Sequence, residues 1–164
     1  MSRLKAALIL TFLFLFSSCF LAAPACGASA VGGFGLRAGY DPDPDQFIAG
    51  GQLILGRALG FMRFMPSFDI GFGDRLRSYT ANFDFRVIRL RPPKSQSALY
   101  AAIGPTLVIW DYDRKGSNTD FGATISGGLE IPMGRSGHYI AEVRLGLGDA
   151  PDLRLIGGIT FWGG

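Results

Sequence analysis

The chain has 164 residues, two cysteines, one histidine and a formal charge of +3, of which Arg3 and Lys5 contribute two. The remainder is close to neutral and carries no Lys/Arg stripe, which gives no basis for nucleic acid as a partner. Length and a positive mean hydropathy leave room for one small, unusually apolar domain and little else.

The amino terminus reads as a secretory leader. Arg3 and Lys5 precede an uncharged run from Ala6 to Ala23, and Ala28-Ser29-Ala30 places small residues at the two positions a signal peptidase reads. The predicted division is therefore a signal peptide over 1–30 and a mature domain over 31–164, with cleavage after Ala25 as the second choice. An uncleaved anchor is the competing reading, because the run approaches the roughly 20 residues that span a bilayer. Lipidation of Cys19 or Cys26 is a third, although neither cysteine has the usual leucine three residues before it. If the leader leaves, both cysteines leave with it, and the mature chain has no disulfide, thiol nucleophile or cysteine metal site.

The mature part alternates with a period of two in about eight segments, the strand signature. The first, 33–40, sets Phe34, Leu36, Ala38 and Tyr40 against Gly35, Arg37 and Gly39, and Asp41-Pro42-Asp43-Pro44-Asp45 ends it. The second covers 46–56, and Arg57-Ala58-Leu59-Gly60 reads as a turn. The third, 61–72, is the clearest: Phe64, Phe68 and Ile70 share one face, while Arg63, Ser67 and Asp69 share the other. A fourth over 77–88 puts Phe83, Phe85 and Val87 opposite Asp84 and Arg86, before the proline-rich connection 89–96. A fifth, 99–110, is apolar on both faces, and Asp111 to Asn118 reads as a charged loop. The sixth (120–131) sets Ile125 against Glu130, the seventh (138–147) sets Val143 and Leu145 against Glu142 and Arg144, and the eighth (153–162) ends in aromatics. No segment after residue 30 sustains a helical period, so the expected fold is all-β, a closed antiparallel up-and-down barrel.

Alternation alone does not say which face is outside. A soluble barrel needs a solvated face rich in Lys, Glu and Gln, whereas the less apolar face here is mostly Gly, Ser, Thr and Ala with sparse charge. That composition favours a transmembrane barrel with a polar interior. It makes Phe64, Phe68, Ile70, Phe83, Phe85, Ile125, Val143 and Leu145 lipid-facing, and it places Arg37, Arg63, Asp69, Asp84, Arg86, Glu130, Glu142 and Arg144 inside as a balanced set of structural ion pairs. Aromatics at segment ends, Tyr40, Phe72 and Tyr79 toward one rim and Phe61, Tyr139 and Phe161 toward the other, fit two interfacial girdles.

Leu99-Tyr100-Ala101-Ala102-Ile103-Gly104-Pro105, Tyr139-Ile140-Ala141-Glu142-Val143-Arg144 and Gly157-Gly158-Ile159-Thr160-Phe161 resemble strands of the small outer-membrane β-barrel proteins of Gram-negative bacteria, the OmpX-like and OmpA-like group. The resemblance covers most of 31–164 and implies periplasmic termini, surroundings of outer-membrane lipid and lipopolysaccharide, and a terminal aromatic read by the barrel-assembly machinery. Phe161 is the expected signal, although Trp162-Gly163-Gly164 follow it. These motifs speak to architecture and not to activity.

Short outward loops argue against an elaborate receptor, and a barrel of this size leaves no general water channel. The expected function is a non-enzymatic structural or surface-interaction role without cofactor, metal or catalytic residues. One alternative is an enzyme acting on lipid A acyl chains. Its only base is His138, with Ser136 before it and Glu142 after it, but a deacylase-like site would have serine where Ile140 stands. The other alternative is a soluble periplasmic or secreted barrel with a greasy interior that binds an apolar ligand.

Overall fold

A computed structural model describes residues 32–59, 62–113, 116–134 and 136–162. The predicted leader with Ala28 and Ala30, both cysteines, and Phe61 lie outside the described residues. The strands are β1 (Gly33–Asp41), β2 (Gln46–Ile54), β3 (Arg57–Leu59), β4 (Met62–Gly73), β5 (Leu76–Leu90), β6 (Ala98–Tyr112), β7 (Gly116–Met133), β8 (Gly137–Gly148) and β9 (Leu153–Trp162). Every pairing is antiparallel. The ring closes where β1 meets β9 (Gly33 opposite Trp162) and β2 meets β4 (Gln46 opposite Gly73). Closure supplies every long strand with two neighbours and removes the open sheet edges that would leave backbone donors and acceptors unpaired.

The short β3 corrects the turn expected over Arg57 to Gly60. Gln52 is opposite Ser67 on β4, and after Leu55 and Gly56 the pairing resumes with Arg57 opposite Arg63. The Leu55 amide bridges the gap by donating to the Phe64 carbonyl at 2.9 Å. Thus β2 and β3 form one interrupted stave, and the barrel has eight staves.

Two further departures have clear physical causes. The stretch expected to be a charged loop is largely strand: Asp111 is opposite Ser117 and Tyr112 opposite Gly116, which turns at φ +86°. Its polar composition reflects height rather than irregular backbone. Pairing of β7 with β8 begins only at Gly122 opposite Gly148, so the β6–β7 hairpin rises above the ring. In β5, the register shifts between Arg86 and Ile88, a bulge at Val87 that inserts one residue and reverses the phase beyond it. Ile88 and Leu90 therefore face outward, 50% and 61% exposed, while Arg89 reaches Glu130 in the interior.

The two faces have opposite chemistry, in the sense opposite to a soluble protein. Arg37, Asp69, Asp84, Arg86, Glu130, Glu142 and Arg144 are buried, whereas Phe34, Phe47, Phe121, Ile125, Val143 and Leu145 stand exposed on the outer wall. Phe83 is exposed with them; Phe64, Phe68, Ile70 and Phe85 are half-buried against outer-wall neighbours, the Phe64 and Phe85 rings 5.1 Å apart. Aromatics do gather at both ends. Tyr40 packs on Phe47 at 5.6 Å and Phe47 is opposite Phe72, while at the terminal end Phe34 packs on Phe161 at 5.3 Å.

Candidate functional site: the charged interior

Because side chains alternate along each strand, the inward residues stack as layers down the barrel axis. The layer at the hairpin end joins β1, β5 and β9. Arg154 donates from Nε to Asp41 Oδ2 at 3.1 Å and from Nη2 to Thr80 Oγ1 at 3.0 Å. Beside it, the Ser78 hydroxyl donates to Gln46 Oε1 at 2.7 Å. A small apolar cluster of Leu76, Val108 and Trp110 fills the same end.

The middle layer centres on Arg37, which forms a bidentate pair with Asp69 through Nε (2.7 Å) and Nη2 (2.5 Å) and also donates to Ser67 Oγ. Asn82 donates to Ser67 and Asp69, and accepts from Thr106 Oγ1 at 2.6 Å on its own oxygen. Gly50 makes the space for this pair: a Cβ there would overlap an Asp69 carboxylate oxygen and the β4 backbone.

The third layer runs toward the chain termini. Arg144 Nη2 donates to Asp84 Oδ2 at 2.7 Å across the barrel and to Glu142 Oε1 at 2.9 Å on its own strand. Tyr100 donates its hydroxyl to Glu142 Oε2 at 2.6 Å, and the Arg86 guanidinium lies 4.3 Å from the centre of the Tyr100 ring. Arg86 then meets Glu130 at 2.6 Å, and Arg89 meets the other oxygen of Glu130 at 3.0 Å. Gly128 lies opposite Tyr100, and a Cβ there would overlap the ring.

In these layers Arg37, Arg86, Arg89, Arg144 and Arg154 pair with Asp41, Asp69, Asp84, Glu130 and Glu142. Within this set charge is balanced one for one, which is what makes burial of so many ions tolerable. The structure brings together seven of the eight interior charges named from the sequence. The eighth, Arg63, shares their inward phase: it lies opposite Arg86 in the register and is half-buried at the terminal end.

Sequence reasoning missed Asp41, Arg89, Tyr100 and Arg154. Two were within reach, since Asp41 continues the phase of Arg37 and Gly39, and Arg154 alternates with Leu153 and Leu155. Tyr100 was hidden in a segment that is apolar on both faces, and Arg89 by the bulge. Of the residues in the enzyme alternative, Glu142 has its two oxygens bonded to Tyr100 and Arg144. Among the described residues, no group of three His, Cys, Asp or Glu side chains could hold a metal ion.

No protein-family model and no curated protein matches the sequence. In structure, the chain is similar to the N-terminal β-barrel domain of Pseudomonas aeruginosa OprF, with a TM-score of 0.62 and 14% identity over 80% of this chain and 97% of that one. It is likewise similar to Neisserial surface protein A, with a TM-score of 0.61 and 14% identity over 84% and 99% of the two chains. The fold is that of the small eight-stranded outer-membrane barrels.

Proposed function

We propose that this protein is a non-enzymatic outer-membrane barrel of a Gram-negative bacterium, with a structural or surface-interaction role and an interior plugged by its own ion-pair network. The observation that carries the reading is the inverted polarity of the wall: Arg144, Asp84 and Glu142 are buried, while Phe47, Phe121 and Leu145 face out. In water such a surface would expose a contiguous apolar belt far larger than soluble monomers carry; in a bilayer it is the ordinary outer face of a spanning barrel. Residues 1–30 act as the export signal, the apolar wall meets outer-membrane lipid and lipopolysaccharide, and Phe161 at the end of β9 engages the barrel-assembly machinery. The even number of staves puts both termini on one side of the membrane, which on this reading is the periplasmic side.

The soluble alternative requires a greasy interior, and the interior here is lined with arginine, carboxylate and amide groups. Membrane fractionation, with gel mobility compared before and after heating, tests the reading. A heat-dependent mobility shift in the outer-membrane fraction is expected; recovery as a soluble periplasmic protein would overturn it.

A further inference from the structure

The unburied acids gather at one end, whereas exposed cations stand at both, Arg75 and Arg77 beside the β4–β5 turn among them. Every acidic residue that is not buried lies at the hairpin end, in or beside the turns at Asp43, Asp74, Asp113 and Asp149, away from the termini. Toward the terminal end the side-chain carboxylates among the described residues are buried ones, Asp84, Glu130 and Glu142, and all are already paired. The longest connection of that end, between β5 and β6, carries Arg91 and Lys94, exposed and without an ion-pair partner among the described residues.

The turn itself is hydrogen-bonded. The Ser95 amide donates to the Pro92 carbonyl at 3.1 Å, Pro93 follows at the second position and Lys94 takes φ +66° at the third, the arrangement of a type II turn. Glycine is the residue that adopts this conformation without cost, and the next turn at the same end does use Gly134, at φ +69°. Lysine at position 94 is thus held in a disfavoured backbone state. Immediately beside the turn, Leu90 and Leu99 are opposite each other on the outer wall, 61% and 50% exposed. Leu90 faces outward because the Val87 bulge has reversed the phase of β5, and Leu99 does so in the regular phase of β6.

Apolar side chains on the wall with unneutralised cations in the adjoining turn, toward the aqueous rim, form the pattern of a headgroup contact, with hydrocarbon below and phosphate above. We infer that the β5–β6 turn binds anionic phospholipid headgroups of the periplasmic leaflet, with Arg91 and Lys94 against the phosphate and Leu90 and Leu99 against the acyl chains. This rests on the outer-membrane reading above. Arg89 is not one of the binding groups, since its guanidinium is engaged with Glu130.

The test uses the full chain folded into vesicles of phosphatidylcholine, with and without phosphatidylglycerol, and counts phosphatidylglycerol retained on the barrel by native mass spectrometry. Wild type should retain it selectively, and Lys94→Gly and Arg91→Gln should each weaken retention about fivefold. Lys94→Gly is the decisive variant, because it relaxes the turn and should leave the unfolding midpoint unchanged or raised. Undiminished retention in both variants overturns the inference, as does displacement of the lipid by inorganic phosphate alone. Equal lipid content in all variants with loss of an anionic protein partner would assign the turn to that partner and also overturn it. Heat-dependent mobility in the same vesicles reports insertion separately: a barrel that inserts without selectivity sinks only the lipid inference, and one that does not insert sinks the outer-membrane reading as well.

Discussion

Arg144 on β8 and Asp84 on β5 meet across the barrel at 2.7 Å, and the same guanidinium nitrogen holds Glu142. One cation therefore neutralises two buried carboxylates. Replacing it with leucine strands both, and the expected cost is about 3–5 kcal/mol in denaturant unfolding. Restoring the balance by Asp84→Leu in the Arg144→Leu background should recover part of the loss. A single Arg144→Leu variant as stable as wild type would show that the network contributes nothing.

Two adjacent glycines make opposite predictions. Gly128 faces the Tyr100 ring, so Gly128→Ala must displace the ring from Glu142 and should destabilise by about 1–3 kcal/mol. Gly127 points outward and a Cβ there meets nothing within 4 Å. Gly127→Ala should be close to neutral, and the two unfolding curves measured side by side check the assignment of faces.

Depth along the wall is tested by arginine substitution. Phe68→Arg, on β4 within the outer face, should cost about 2–4 kcal/mol of bilayer folding stability if it lies near the midplane. Phe121→Arg, on the raised β6–β7 hairpin, should cost about 1 kcal/mol or less. Folding yield in vesicles provides the measurement, and equal tolerance at both positions would contradict a lipid-facing belt.

Salt separates interior from rim. The Arg37–Asp69 and Arg144–Asp84 pairs are shielded from solvent, so raising ionic strength should leave the unfolding midpoint nearly unchanged. The Arg89 side chain is 38% exposed and Glu130 keeps Arg86 in its absence, so Arg89→Gln should cost about 1 kcal/mol or less. A midpoint that falls steeply with salt would mean that the interior is open to ions.

The sequence made the architecture legible because each strand of this barrel has one face of each kind, and a period of two survives wherever that contrast is strong. Phe64, Phe68 and Ile70 against Ser67 and Asp69 is the plainest case. The pattern failed where contrast failed. From Ala98 to Trp110 both faces are apolar, and nothing in the residues says that Tyr100 points in while Leu99 points out. It also failed where register slipped, since the apolar phase passes from Phe83, Phe85 and Val87 to Ile88 and Leu90 and only the change of phase marks the bulge. Pairing across the barrel was beyond reach for another reason: which carboxylate Arg144 meets depends on the stagger of strands 60 positions apart in the chain, and alternation carries no information on stagger.

The raised β6–β7 hairpin leaves Gly116 to Phe121 paired on one side only, before β8 joins at Gly122. Here the sheet offers a ledge on which a foreign strand could grow. The residues placed there discourage it. Ser117, Asn118, Thr119 and Asp120 are polar, and the Asn118 amide is turned onto Asp120 at 2.6 Å, which puts a carboxylate on the ledge. A hydrophobic replacement of Asp120 would turn this guarded step into a nucleus for aggregation between copies.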